Sequence, residues 1–268
     1  MKRRLEHSAA AFTRTELMVV IVIVLCVCWF LGSILLPLGM HRLRRRNERL
    51  MIPCISNFRQ IGTGYRIWAN DHNDRFPASE SAAKGGWKDL LTNSDQGPNC
   101  WTNYAIMANE LGFSPKLLAC PTDERWELAW DSFTNGMPTN TFIENNSTLS
   151  YFVGVSANSS NPRSLLGGDR NLGAGTEPSP DYGFSPKDGK GNDVAIQTNS
   201  SLGPVSWSSK MHSTQHRAGV GNILLGDGSC QQVTSADFRK NCQPAAGETT
   251  NWPAGHVPSS PSFRVVFP

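Results

Sequence analysis

His212 and His216 are spaced HxxxH in the stretch HSTQH. On a helix that spacing sets both imidazoles on one face, as a pair of metal ligands requires. The metalloprotease form of the pattern carries Glu after the first His, and here Ser213 stands there. The context also reads as loop or strand, so no catalytic metal is expected at this pair. Asp188, Asn192 and Asp193 in DGKGND offer oxygen donors of the kind calcium takes. Asp71, Asn73 and Asp74 cluster similarly in NDHNDR, but the glycine turn and distal Glu of a calcium loop are missing. A turn is the expectation there. No G-x-S-x-G elbow, P-loop or dinucleotide fingerprint occurs. Trp87, Trp101, Trp126, Trp130, Trp207 and Trp252 could build a sugar-binding platform, but they are scattered in sequence and read first as core residues.

Cysteine chemistry is the next candidate. Cys26 and Cys28 fall inside a long apolar run, and Cys54, Cys100, Cys120, Cys230 and Cys242 lie beyond it. An odd count leaves at least one of these five thiols unpaired within the chain. No CxxC occurs outside the apolar run and no zinc-finger spacing is present. One or two structural disulfides in an oxidising compartment are expected. Cys230–Cys242 and Cys100–Cys120 are the closest pairs in sequence, but spacing does not fix the connectivity.

Leu17 to Met40 is a run of 24 residues without a charge. About 20 apolar residues span a bilayer as a helix. A secretory signal has a core of roughly 7–15 residues and a small-x-small cleavage site after it. This run is longer and is followed by HRLRRRNERL. A lipoprotein signal needs a small residue before its Cys, and here Leu25 and Val27 precede Cys26 and Cys28. The segment therefore reads as a retained transmembrane helix. Lys2, Arg3 and Arg4 precede it, and Arg42, Arg44, Arg45, Arg46 and Arg49 follow it. The net charge of +3 is concentrated at these flanks, which is no nucleic-acid footprint. The heavier basic flank alone would place the C-terminal region in the cytoplasm. Cysteine usage and a loop-rich composition, with 24 Gly and 17 Pro, point the other way. The residues by themselves leave the orientation open.

One acid, Glu16, stands at the lip of the run, in FTRTELMVVIVIV after the leader MKRRLEHSAAA. This arrangement resembles the N-terminus of type IV pilins and pseudopilins. The resemblance implies a leader over 1–11, cleavage between Ala11 and Phe12, and N-methylation of Phe12. It also implies a transmembrane helix over 12–40, an amphipathic extension over 41–76 and an extracytoplasmic domain over 77–268. The protein would be single-pass in a bacterial inner membrane, its N-terminus cytoplasmic before processing. Its partners would be the lipid bilayer, a prepilin peptidase and methylase, an inner-membrane assembly platform and other pilin-like subunits. Glu16, fifth in the mature chain, would meet the amine of a neighbouring subunit's Phe12. Two charges about 4 Å apart attract by about 4 kcal/mol at an effective dielectric near 20, before desolvation. Two positions depart from the pattern: Ala11 stands where Gly is usual, and Arg14 where an apolar residue is usual.

Further along, CISNFRQIGTGYRIWAND carries Cys54, Ile55, Phe58, Ile61, Tyr65, Trp68 and Ala69 at three- and four-residue spacing. That is one apolar helix face. Pro53 and Pro37 should kink or break the helix. Gly62 and Gly64 should weaken it by about 1 kcal/mol each. The same stretch is similar to the segment after the membrane helix in a subgroup of pseudopilin-like proteins abundant in planctomycete and verrucomicrobial bacteria. LLACPTD, SLLGGDRNL and MHSTQHRAGVGNILLGDGSCQQV resemble its later motifs, in which a His precedes an Asp-Gly hairpin. Here His216 precedes Asp227 by eleven positions.

The remaining residues predict a short helix or turn over 101–112 and a strand end with a turn over 117–123. Strands are expected over 147–157 and 163–170. A hairpin over 221–233 would turn at Asp227-Gly228. A capped helix should cover 234–242, a last strand 263–267 and a long loop 171–205. The expected fold is α+β: a long N-terminal helix packed on an antiparallel sheet, pilin-like, with a loop-rich C-terminal region. The expected function is a non-enzymatic pilin-like subunit without a cofactor, calcium being the one candidate. The alternative is a membrane-anchored extracytoplasmic module, for polysaccharide as an example, that is never assembled. An anchored hydrolase is a third reading that no motif supports.

Overall fold

The computed structural model describes residues 13–90, 99–126, 146–196, 204–212, 219–241 and 263–268. The chain divides into two compact units, Met1–Arg46 and Asn47–Pro268. Helix α1, Arg14–Asp71, begins in the first unit and ends in the second. Its segment Arg14–Ser33 is long and apolar enough to cross a membrane. None of that segment is buried within the chain. Of the kink or break expected at Pro37 and Pro53, the break does not occur: the helix runs through both. A proline removes a single backbone donor, and the turns that follow Pro53 are held by tertiary packing.

That packing uses the apolar stripe. Cys54, Phe58, Ile61, Tyr65, Trp68 and Ala69 are buried, while Arg59, Gln60, Thr63 and Arg66 are exposed. The stripe lies in one core with Tyr151, Val153, Leu166, Leu224 and Val266. These five come from an antiparallel sheet. Its strands are β1 (Tyr151–Gly154), β2 (Leu165–Asp169), β4 (Asn192–Ile196), β6 (Val220–Leu225), β7 (Cys230–Thr234) and β8 (Phe263–Phe267). Among the described residues the order is β4-β8-β1-β2-β6-β7. Phe152, Leu165, Ile223, Leu225, Val233, Val265 and Phe267 belong to a second core. Strand side chains alternate between faces, so the sheet is apolar on both sides. The second core also takes Leu172, Val205 and Trp207 from the two-stranded ribbon of β3 (Leu172–Ala174) and β5 (Val205–Trp207), and Phe238 from a short helix. The stretch 171–205, expected as loop, thus contains β3 and β4 and ends at the start of β5. Residues 117–123 are not a strand end but the close of a helical turn, Pro115–Leu118, and a bend after it.

Local chemistry explains several of the breaks. After α1 the chain turns through Asn73 and Asp74, both at positive φ, as the turn reading of NDHND required. Helix α2 (Cys100–Ile106) and helix α3 (Ser235–Asn241) match the expected short helices. The start of α3 is closed by Thr234, whose Oγ1 accepts the Asp237 N–H at 3.1 Å and donates to the Asp237 carboxylate at 2.7 Å. Gly62 and Gly228 let α1 approach the β6–β7 hairpin. A Cβ on Gly62 would stand 2.7 Å from the Gly228 carbonyl oxygen, and Gly228 itself sits at φ +82° in the left-handed region. The helix propensity lost at Gly62 is the condition for this contact.

Two buried arginines, one ion-paired and one bonded to backbone carbonyls, fasten the irregular segments. Arg170 makes a two-pronged contact with Asp123, Nε to Oδ2 and Nη2 to Oδ1, both 2.7 Å. Its guanidinium lies 3.4 Å from the centre of the Tyr182 ring. Arg125 donates to the carbonyls of Asn146, Leu149 and Pro186. Burial alone would raise the Asp123 pKa, but the Arg170 hydrogen bonds and charge outweigh it and hold the carboxyl below its ordinary value. A carboxylate with a lowered folded pKa contributes stability above its unfolded pKa, and that stability is lost as pH falls through the folded one. The expected result is an unfolding midpoint that drops steeply below about pH 4 in wild type and much less in Asp123→Ala. At neutral pH Asp123→Ala should lose about 3–5 kcal/mol, because it leaves Arg170 buried without its main partner. Denaturant unfolding across pH checks both.

Candidate functional site

The start of α1 is the first candidate. Ala11 and Phe12 lie outside the described residues. Thr13 donates its backbone N–H and its hydroxyl to Glu16 Oε2, at 2.8 and 2.7 Å. The Glu16 N–H returns to Thr13 Oγ1 at 3.4 Å, and the Leu17 N–H bonds the Thr13 carbonyl. This is a capping box, with Thr13 as N-cap and Glu16 three residues on. The T-x-x-E pattern of TRTE is the sequence signal for this box. Beyond Glu16, the side chains from Leu17 to Leu31 stand exposed.

The second candidate is a buried polar cluster on the α1 side of the sheet. Cys54 and Cys120 form a disulfide, with Cα atoms 5.3 Å apart. This corrects the sequence-neighbour pairs. Cys100 is a buried thiol, its sulfur near the carbonyls of Tyr151 and Val266. Cys230 is an unpaired thiol on β7, and Cys242 lies outside the described residues. The bond joins the head of the α1 stripe to the bend after Leu118. Spatial neighbours in this fold come from distant segments, so closeness in sequence was a poor guide.

His212 lies against that disulfide. Its Nε2 is 3.6 Å from Cys120 Sγ, 3.1 Å from Asn222 Nδ2 and 3.1 Å from Asp169 Oδ2. Thr122 Oγ1 is 3.4 Å from the other ring nitrogen, Nδ1. Asp169 closes β2, and its Oδ2 accepts the Asn222 N–H at 2.6 Å and the Asn222 amide at 3.0 Å. The side chains of Asp169 and His212 are fully buried. Asp169 Oδ1 and Asn222 Oδ1 have no hydrogen-bond partner. The field of this carboxylate is felt nearby. Burial first, and then the Asp169 charge, push the Cys230 thiol up to about 12. The same two causes, in the same order, raise the Tyr151 phenol well above its usual value.

His212 occupies a turn at φ +46°, not a helix, and His216 lies outside the described residues. The calcium candidates are already engaged elsewhere. Asp193 takes Arg264 through both oxygens, Asn192 donates its amide to the Phe184 carbonyl, and Asp188 accepts the Lys190 N–H. Among the described tryptophans, Trp87 and Trp207 are fully buried in different cores and Trp101 and Trp126 are half-buried, while Trp130 and Trp252 lie outside the described residues. Asp169 and Asn222 were missed in the sequence. Their signal is a polar residue within or at the end of an otherwise apolar strand, LLGGD and VGNILL. With this geometry in view, the chain matches no protein-family profile, no curated protein and no solved structure.

The cross-link spans 66 residues. By loop-closure entropy a bond over that length stabilises by about 4 kcal/mol. Replacing both cysteines, Cys54→Ser with Cys120→Ser, should lower the unfolding free energy of the detergent-solubilised chain by that order. Cys100→Ser should not alter the disulfide count on a mass spectrum, whereas Cys120→Ser should remove the Cys54 cross-link.

Proposed function

We propose that the chain is a non-enzymatic, pilin-like subunit. In this reading it is processed between Ala11 and Phe12 and assembles through α1 into a fibre of a type II secretion or type IV pilus-like machine. The observation that carries it is the segment Arg14–Ser33. Its apolar side chains are exposed on every side, and Glu16 is the single acid within it. A helix apolar all round needs lipid or other helices around it. The second half of the same helix supports the reading, because its buried stripe lies on an antiparallel sheet. In a bacterial inner membrane the folded unit would then stand on the extracytoplasmic side, where the Cys54–Cys120 bond is chemically at home.

A specific observation favours a second reading. Thr13 already bonds one carboxylate oxygen of Glu16 within its own chain. A span built that way can rest in lipid with no neighbour. The protein would then be a permanently anchored extracytoplasmic binding module.

Two measurements separate them. Intact-mass and N-terminal peptide analysis of the membrane-extracted protein should find a terminus at Phe12, heavier by one methyl group. A terminus at Met1 favours the anchored module. In the second, Glu16→Gln keeps a side chain able to close the capping box and removes the charge. Assembly through that charge predicts that Glu16→Gln and Glu16→Ala both insert in the membrane and both fail to enter fibres. Incorporation of Glu16→Gln at the wild-type level would reduce Glu16 to a helix cap.

A further inference from the structure

We propose that Cys54, Cys120 and His212 form a site for a thiophilic divalent cation of the zinc type, open only when the Cys54–Cys120 bond is reduced. The two occupants exclude each other. The same two sulfurs either bond each other or bind the metal.

The geometry carries this. One donor atom from each of the three residues lies within 4.8 Å of the others, and all three residues are buried. Metal–sulfur distances of about 2.3 Å and metal–nitrogen distances of about 2.0–2.1 Å at tetrahedral angles give an S···N edge of about 3.6 Å. Cys120 Sγ and His212 Nε2 stand 3.6 Å apart. The matching S···S edge is about 3.8 Å, a separation that two sulfurs reach once they are no longer bonded. His212 must offer Nε2 as a lone pair, so the ring proton belongs on Nδ1, where Thr122 Oγ1 lies 3.4 Å away to accept it, and the Asn222 amide, 3.1 Å from Nε2 in the disulfide form, must give that lone pair up to the metal. A hydrogen bond at the second ring nitrogen is how protein zinc sites orient their histidines.

The surroundings favour a cation. Asp169 is a fully buried carboxylate whose Oδ2 stands 3.1 Å from Nε2; with the ring proton on Nδ1 that contact is no hydrogen bond, and a cation at Nε2 would relieve the repulsion. A buried charge is costly unless it is paired. Asp169 Oδ1 and Asn222 Oδ1 have no partner in the disulfide form, and they are oxygen acceptors for a fourth ligand such as water. Two thiolates and an imidazole select zinc-type ions over calcium or magnesium. In the chemistry of opening, the disulfide becomes two thiols by taking two electrons and two protons from a dithiol, which becomes a disulfide, or two electrons from a phosphine, which becomes its oxide by taking the oxygen of a water that supplies the two protons. Each thiol gives up its proton when the metal binds. Either state ties the head of the buried stripe to the bend after Leu118. The site lies wholly in the unit Asn47–Pro268, so its failure would leave the assembly reading untouched.

The test uses the full chain in detergent, with Cys26→Ser, Cys28→Ser and Cys242→Ser to remove competing thiols. The chain is reduced with a phosphine, freed of reductant and titrated with Co²⁺. The expected result is one equivalent bound, with a thiolate-to-cobalt charge-transfer band that Zn²⁺ abolishes. The oxidised chain should show no band. Adding Cys54→Ser and Cys120→Ser should remove it, and His212→Gln should weaken binding by at least about tenfold, as even an outer partner of a metal ligand does. No band in the reduced chain, or a band that survives loss of Cys54 and Cys120, overturns the proposal. If reduction alone unfolds the chain, Zn²⁺ added beforehand should preserve its circular-dichroism signal, since binding energy is then folding energy. Unfolding in the presence of Zn²⁺ overturns the proposal equally.

Discussion

The contact of the Cys54–Ala69 stripe with the sheet is the constraint on which the folded unit is built. Phe58 and Tyr151 set their rings 4.2 Å apart, and Tyr65 meets the edges of Phe76 and Tyr104. Each large apolar side chain removed from water contributes about 1.5–3 kcal/mol. The stripe therefore outweighs the helix propensity lost at Pro53, Gly62 and Gly64. Those glycines are there because the helix must come close. Gly62 faces the backbone of the β6–β7 turn, and a Cβ on Gly64 would stand 2.9 Å from a Leu111 methyl carbon. A helix held this near to a hairpin can neither roll nor slide without clash. This fixes the position of Cys54, and with it which cysteine can be its partner.

Around that contact, charge does what regular structure does elsewhere. Much of the unit is short strands joined by irregular backbone, which leaves carbonyls without ladder partners. Arg125 gathers three of them, from Asn146, Leu149 and Pro186. Arg170 anchors the bend at Asp123 to the end of β2, and Ser185 bonds the terminal Pro268 carbonyl while meeting Arg170 at 3.4 Å. Buried arginine pairs of this kind add less to stability than their Coulomb energy suggests, since desolvation offsets it. Their use here is geometric. They hold loops against a sheet whose two faces are already filled with apolar side chains.

The elements with a strong local signal were legible in the sequence. The stripe of α1, the strands at STLSYFVGVSA and RSLLGGDR, the GDG hairpin, the capped helix α3 and the last strand all announced themselves by period, turn chemistry or caps. β3, β4 and β5 did not. They sit among Gly, Ser and Pro, and their partners are set by the fold: β3 and β5, three residues each, pair with each other, and β4 pairs with β8 from far along the chain. The candidate site was less legible still. Cys54, Cys120, Asp169, His212 and Asn222 come from five separate segments, and no spacing rule connects them. His212 stands out in the sequence by its spacing to His216, but in the fold it lies against Asp169, Asn222, Cys120 and Thr122. Pairing cysteines by nearness in sequence failed for the same reason: topology, not chain distance, decides who meets.

The observed cap at Glu16 leaves room for the proposed assembled role at the same residue. Both bonds from Thr13 go to Oε2, and a carboxylate accepts at two oxygens. A helix N-terminus also favours negative charge through its exposed N–H groups. The cap therefore lowers the cost of holding a carboxylate at the edge of hydrocarbon, whether or not a neighbour is present. A neighbour's amine would add direction to this, because a point charge at a defined depth sets the register between parallel helices. The two roles do not compete for the chain. Thr13 and Glu16 both lie downstream of the Ala11–Phe12 junction, so removal of the leader would leave the box whole. If the proposed processing occurs, the same helix start would serve as a capped anchor before cleavage and as a registered contact after it, and what would change between the two is the amine on Phe12.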